Sequence, residues 1–263
     1  MAATESKVTR ILVAVGDKGQ GEDFMAALLP KGFEVYIVDT LVSLRSIGQM
    51  RKPDLVIIDF DAAEYGGLSG LEGLRQLDWM RLSRLVVYSR ESGLDFVRMT
   101  MRLGVVGYLH KPVSMHEIWE KLETIVSNTS GGGQRREYVR VKPAPLETSR
   151  VELFTGPAGA GIGGELLDIS LGGVAYKLHN PQRIGEITMG QSYSRMELSL
   201  MDEPKVQVGV VAVIARGNTA AFKFNALTEE ALRTLCRYIH SRLMDTDTDE
   251  DQPDSKEKLM KMV

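Results

Sequence analysis

Five short apolar runs in the first half of the chain constrain its fold more than any other feature. They are Arg10-Ile11-Leu12-Val13-Ala14-Val15, Glu34-Val35-Tyr36-Ile37-Val38, Asp54-Leu55-Val56-Ile57-Ile58-Asp59, Arg84-Leu85-Val86-Val87-Tyr88-Ser89 and Val106-Gly107-Tyr108-Leu109. Short runs that do not alternate with polar residues suit strands covered on both faces, as in parallel sheets. The segments between them carry helical spacing. Phe24, Ala27 and Leu28 precede Gly32, Leu41 to Met50 stops ahead of Pro53, Leu71, Leu74 and Leu77 follow, and Leu94 to Leu103 is closed by Gly104. Ser114-Met115-His116-Glu117 forms a capping box, with Val113 and Ile118 placed for a hydrophobic staple, and opens a last helix to about Val126. Alternating strands and helices predict a doubly wound, five-stranded parallel sheet, whose ligands belong at the carboxyl ends of the strands. Asp59, Ser89 and Lys111 all fall at such ends.

The pattern changes after residue 127. Ser127-Asn128-Thr129-Ser130-Gly131-Gly132-Gly133-Gln134 has the composition of a flexible linker. Apolar residues then recur in short runs with Gly and Pro between them: Val139 and Val141, Val151 to Phe154, Leu166-Leu167, Val174 to Leu178, Met196 to Met201, Val206 to Ile214 and Ala220 to Phe224. No helical segment intervenes, which predicts an antiparallel barrel or sandwich, and a small antiparallel β-barrel is the expectation taken. Thr228 is placed to cap a final helix, with Leu227 and Leu232 as its staple. Leu232, Leu235, Tyr238, Ile239 and Leu243 give that helix one apolar face, suited to covering an open end of the barrel. The fold class is thus α/β plus mainly β. The expected divisions are a doubly wound domain over 8–127, a linker over 128–134, a barrel with a C-terminal helix over 135–244, and an acidic, disordered tail over 245–263.

Composition narrows the function classes. The chain has 263 residues and a net charge of −3, so no global basic field recruits nucleic acid. The single cysteine, Cys236, excludes an internal disulfide and fits a reducing compartment. No apolar run approaches the ~20 residues of a membrane helix, and the N-terminal residues lack the features of a signal peptide. A cytoplasmic protein is expected. His110, His116, His179 and His240 are too scattered for a metal site. Gly159-x-Gly161-x-x-Gly164 nominally matches a dinucleotide fingerprint, but it precedes a strand instead of a helix and is read as a hairpin loop. No nucleophile–base arrangement is evident, and no enzymatic activity is expected.

Two stretches of the second half carry the chemistry. Arg135-Arg136-Glu137-Tyr138-Val139-Arg140 supplies three guanidinium groups, planar forks that grip phosphate oxygens and stack on flat rings. Asp168-Ile169-Ser170-Leu171-Gly172-Gly173 supplies a carboxylate, a hydroxyl and two residues that let a ligand approach the backbone. Such groups suit a ligand bearing both phosphate and guanine. Arg136-x-x-x-Arg140 followed by Asp168-x-Ser170-x-x-Gly173 resembles the paired signature of PilZ domains, and the resemblance extends over roughly 134 to 243. It implies cyclic di-GMP as ligand. Arg136 and Arg140 would then grip phosphate or stack on guanine, Arg135 would add charge, and Asp168 and Ser170 would meet a guanine edge. Gly172 and Gly173 would keep the surface open.

The first half, over roughly 8 to 127, resembles the receiver domain of response regulators. That resemblance makes Asp59 the candidate phosphoacceptor and Ser89 and Lys111, the latter followed by Pro112, the candidate phosphate-sensing pair. The sequence departs from the family where two acidic residues would hold Mg2+. Val15-Gly16 stands there, and Asp17 is one place late; Asp17, Asp59 and Asp61 are weak substitutes. Poor phosphate uptake is therefore expected. Two readings follow. One is a cyclic di-GMP effector that relays nucleotide level to an unidentified protein partner of the motility, pilus, flagellar, polysaccharide or transcription machinery. The other is a phosphorylation-driven response regulator whose barrel is a protein-interaction module.

Overall fold

The structure is a computed structural model that describes residues 9–127, 138–156 and 161–245. Arg135, Arg136, the linker over 128–134 and the tail beyond Asp245 lie outside the described residues. Two compact units are present, divided between Val139 and Arg140.

Among the described residues of the first unit, five strands, β1 (Arg10–Ala14), β2 (Glu34–Val38), β3 (Leu55–Asp59), β4 (Arg84–Ser89) and β5 (Val105–His110), form a parallel sheet in the order β2-β1-β3-β4-β5. All five residues of β3 are buried, as the unbroken apolar run requires. Helices α1 (Lys18–Leu28), α2 (Leu41–Arg51), α3 (Gly67–Arg75), α4 (Asp78–Leu82), α5 (Leu94–Arg102) and α6 (Met115–Ser127) connect and follow the strands. Their ends have local causes. Asp17 caps α1 by accepting from the Gln20 N–H at 3.0 Å, and Thr40 caps α2 by accepting from Ser43 N–H at 3.1 Å. Lys52, ahead of Pro53, turns left-handed (φ 45°) and closes α2. The capping box of α6 is present in both directions, Ser114 N–H to Glu117 Oε2 at 2.9 Å and Glu117 N–H to Ser114 Oγ at 3.3 Å. One helical expectation changes. Leu77 does not extend α3; its backbone is extended (ψ 134°), and it opens the short helix α4, which buries Trp79 and Met80.

The second unit is built from β6 (Arg140–Val141), β7 (Arg150–Phe154), β8 (Ile162–Ser170), β9 (Gly173–Leu178), β10 (Ser192–Ser199), β11 (Val206–Arg216) and β12 (Thr219–Phe224), followed by α7 (Glu229–Asp245). Six of these close an antiparallel barrel in the order β8-β7-β10-β11-β12-β9, with β9 returning to β8, and β6 shares an edge of β8 with β7. Alternate residues point inward along β9 and β12. In the interior Tyr176 and Phe222 stack at 5.8 Å, and Tyr193 meets Phe222 edge-on at 6.2 Å. Thr228 Oγ1 accepts from Ala231 N–H at 3.2 Å to start α7, which packs against β6, β8 and β11. A buried ion pair fastens it. Arg242 Nη1 lies 2.9 Å from Glu147 Oε2, and Tyr238 Oη donates to Glu147 Oε1 at 2.7 Å. Among the described residues no helix is long and apolar enough to cross a membrane.

Candidate functional site

The barrel site starts from a bulge. Ile162, Gly164 and Leu166 point inward along β8, so strict alternation would send Asp168 into the core. The register against β9 slips between Leu166 and Asp168. Leu167 and Asp168 therefore both lie on the outside, and Ile169 becomes the buried residue, 0% exposed. Strand β6 then pairs with the end of β8, with Arg140 opposite Ser170 and Val141 opposite Ile169. Val141 faces the core and Arg140 faces out. Arg140 Nη1 consequently stands 3.6 Å from Asp168 Oδ1, with the arginine side chain 65% exposed. The two sequence stretches, about thirty positions apart, meet as one ion pair on the barrel rim. Arg135 and Arg136 lie outside the described residues.

The other signature residues build the rim. Ser170 is buried; its oxygen accepts from Gly172 N–H at 3.2 Å, and its hydroxyl faces Gly173 O at 3.4 Å. The hydroxyl expected at a guanine edge thus shapes the turn from β8 to β9. Gly173 pairs with Lys223 of β12, and a Cβ there would stand 2.2 Å from Phe222 O. Its lack of a side chain allows β9 and β12 to approach. Gly172 O accepts from Phe224 N–H at 3.0 Å, tying the same turn to β12.

In the first unit, Asp59, Ser89 and Lys111 converge because they end or follow the three adjacent strands β3, β4 and β5. Asp59 sits opposite Tyr88, and Ser89 sits opposite His110. Lys111 N–H bonds Ser89 O at 2.9 Å, and the Lys111-Pro112 peptide is cis. Lys111 Nζ contacts Asp59 Oδ1 in a buried pair and lies 4.5 Å above the Tyr88 ring. Sequence reasoning missed the part played by Asp61, named there only as a substitute metal ligand. Its carboxylate accepts from Ser89 Oγ at 2.6 Å and Arg90 N–H at 2.9 Å, and Lys111 Nζ lies 3.3 Å away. The signal available was an acidic residue two places beyond a strand-ending aspartate, close enough to reach the neighbouring strand.

The parts in hand are an α/β unit with a charged sheet edge followed by a barrel with an arginine–aspartate rim. Residues 13–123 match the family model for the response regulator receiver domain, and residues 134–241 match that for the PilZ domain. The chain is a signalling protein with a receiver domain followed by a PilZ domain, both regulatory rather than catalytic families. The KDP operon transcriptional regulatory protein KdpE of Escherichia coli (strain K12) is 25% identical over 139 residues, covering 53% of this chain; the chain spans 57% of the length of that relative. A CheY-like receiver domain protein from Methanospirillum hungatei JF-1 is 20% identical with a TM-score of 0.42, over 46% of this chain and 96% of that one. The PilZ domain of YcgR from Escherichia coli, solved with c-di-GMP, is 21% identical with a TM-score of 0.36, over 43% of this chain and 95% of that one.

The receiver match raises the question of Mg2+, and the side chains present do not suit it. Val15 is apolar and buried, Gly16 has no side chain, and Asp17 is engaged as the cap of α1. Asp59 Oδ1 and both oxygens of Asp61 already accept from protein donors. Among the described residues no group of three or more His, Cys, Asp or Glu could hold a metal ion.

Proposed function

We propose that this protein is a non-enzymatic effector of cyclic di-GMP that binds the nucleotide on its barrel and relays that state to a protein partner. The observation that carries the reading is the β6–β8 pairing, which sets Arg140 beside Asp168 on the outer rim. A guanidinium can take a phosphate in bidentate fashion or cover a guanine ring, and a carboxylate accepts from the ring N–H and exocyclic amine of guanine. The pair is cheap to open, since an exposed ion pair contributes only about 0–1 kcal/mol. Each charge-assisted bond to a ligand is worth about 1.5–3 kcal/mol. Arg135 and Arg136, on the segment leading into β6, are assigned to the same ligand, and Ser170 and Gly173 serve by shaping the turn. The receiver domain is assigned a docking role, because Lys111 and Ser89 are already engaged by carboxylates of the chain itself.

Calorimetry with cyclic di-GMP on the full chain tests this. Arg140→Ala and Arg136→Ala are expected to weaken binding about tenfold or more. Arg140→Lys is expected not to restore it, because an ammonium lacks the planar fork. Absence of heat and of any thermal shift with the wild-type chain at tens of micromolar nucleotide would overturn the reading.

A further inference from the structure

Three donors converge on one carboxylate at the edge of the receiver sheet. Ser89 Oγ, Arg90 N–H and Lys111 Nζ reach Asp61 at 2.6, 2.9 and 3.3 Å. Their directions are fixed by other contacts. The Ser89 oxygen accepts from Glu91 N–H at 3.0 Å, so its single proton is committed to Asp61. Lys111 is 8% exposed, rests on the Tyr88 ring, and also contacts Asp59. A hydroxyl aimed at one oxygen, and a backbone N–H and an ammonium at the other, make a cradle for a carboxylate-sized anion. Here the anion is covalently attached to the chain, two residues beyond Asp59, with its own N–H held by Asp59 Oδ1 at 3.1 Å. A tethered group competes at an effective concentration of order millimolar or above.

We propose that Asp61 is a built-in anion that fills the cradle beside Asp59, so that the receiver domain rests in its anion-occupied arrangement and does not respond to external phosphate. Desolvation raises the Asp61 carboxyl, but the hydrogen bonds from Ser89, Arg90 N–H and Lys111 outweigh it and hold the carboxyl below its ordinary range. The side chain therefore keeps its charge in the cradle. This assignment concerns the receiver domain alone and is independent of nucleotide binding by the barrel.

The test is an amide NMR titration of the full chain with inorganic phosphate at constant ionic strength. In the wild type, the Ser89, Arg90 and Glu91 amides are expected to stay unshifted through about 10 mM, a concentration far above that needed for a micromolar site. In Asp61→Ala the same amides are expected to shift saturably, with an apparent affinity about tenfold or more tighter than the wild type. Asp61→Asn, which keeps the shape and loses the charge, should move in the same direction. Adding Ser89→Ala to Asp61→Ala should weaken the new binding. Saturable shifts of those amides in the wild type would overturn the proposal without any variant. An unchanged, phosphate-insensitive response in a folded Asp61→Ala or Asp61→Asn chain would overturn it as well, by showing that the cradle does not accept a free anion.

Discussion

The two charged sites of this protein use similar groups in opposite surroundings. At the receiver edge, Lys111 is buried and touches two carboxylates, and a hydroxyl and backbone N–H groups complete the cluster. At the barrel rim, Arg140 is largely exposed and reaches one carboxylate at 3.6 Å. Burial decides what each can do. A buried cluster is strong only while it is complete, because any member left alone is an uncompensated charge away from water. An exposed pair exchanges partners easily because water shares both charges. The receiver cluster is therefore costly to open, and the rim pair of Arg140 and Asp168 opens at little cost.

Lys111→Ala is the severest way to break this contrast. It would leave Asp59, 4% exposed, facing Asp61 with no cation between them. The expected cost to the receiver domain is about 3–5 kcal/mol, read by urea unfolding at neutral pH. A loss under about 1 kcal/mol would mean the cluster behaves like a surface pair.

Acid is expected to act on the barrel through a different group. Desolvation lowers the imidazole of His240 on α7 to about 4. The unfolded chain, with its histidine near 6.5, takes up a proton that the folded barrel refuses. The folded pKa is depressed, so this stability is present above about pH 6.5 and is lost as the pH falls toward 4. The loss is up to about 3 kcal/mol at about 1.4 kcal/mol per unit. Glu147, on the same helix contact, acts lower still. Desolvation raises its carboxyl, but bonds from Ser149, Tyr238, Ala144 N–H and Arg242 outweigh it and hold it below the usual glutamate range. Its contribution is therefore lost only below about pH 4.3. Melting of the barrel transition across pH 7 to 4, in wild type and His240→Gln, checks the upper window. The variant should show a flatter decline.

Gly173→Ala asks whether the rim depends on backbone approach as much as on charge. The added Cβ would meet Phe222 O at 2.2 Å, and backbone must move to admit it. A cost of about 1–3 kcal/mol is expected in denaturant unfolding, the range for overpacking. Nucleotide affinity should fall too, although no charged group has been removed. Unchanged stability with unchanged affinity would show that β9 and β12 have slack.

What the sequence revealed about these sites follows from how local each cause is. The receiver strands were legible because burial on both faces leaves an unbroken apolar run, as in Leu55 to Ile58. The barrel strands β9 and β12 were legible as short apolar runs with no helical spacing, and Gly32 and Gly104 from their place at helix ends, where both adopt positive φ. Asp59, Ser89 and Lys111 come together as strand-end positions imply. The outward turn of Asp168 was not legible, because the bulge exists only in register against β9. Nor was the turn-building role of Ser170, which depends on where Gly172 N–H points. The Asp61–Ser89 bond spans 28 positions and the Glu147–Arg242 bond 95, and no local pattern announces either. Leu77 kept helical spacing with Leu74 and still left the helix, since a second short helix buried Trp79 and Met80 instead.

The smallest expected effect is the most discriminating one for the rim. Arg140→Ala removes the cation from Asp168, yet Asp168 keeps access to water with a third of its side chain exposed. An exposed pair of this kind contributes about 0–1 kcal/mol, further reduced by salt. The ligand-free barrel of Arg140→Ala should therefore melt within the range set by about 1 kcal/mol of the wild type, and Asp168→Asn should do the same. The double variant should cost no more than the sum of the two, a coupling near zero by a mutant cycle. Nucleotide affinity should nevertheless fall about tenfold or more in Arg140→Ala. That divergence separates a residue kept for a ligand from one kept for the fold. A loss of about 3 kcal/mol or more in the free protein would place Arg140 beside Lys111, as part of a closed cluster. The exchange of Asp168 for phosphate would then cost more than the ligand bonds return.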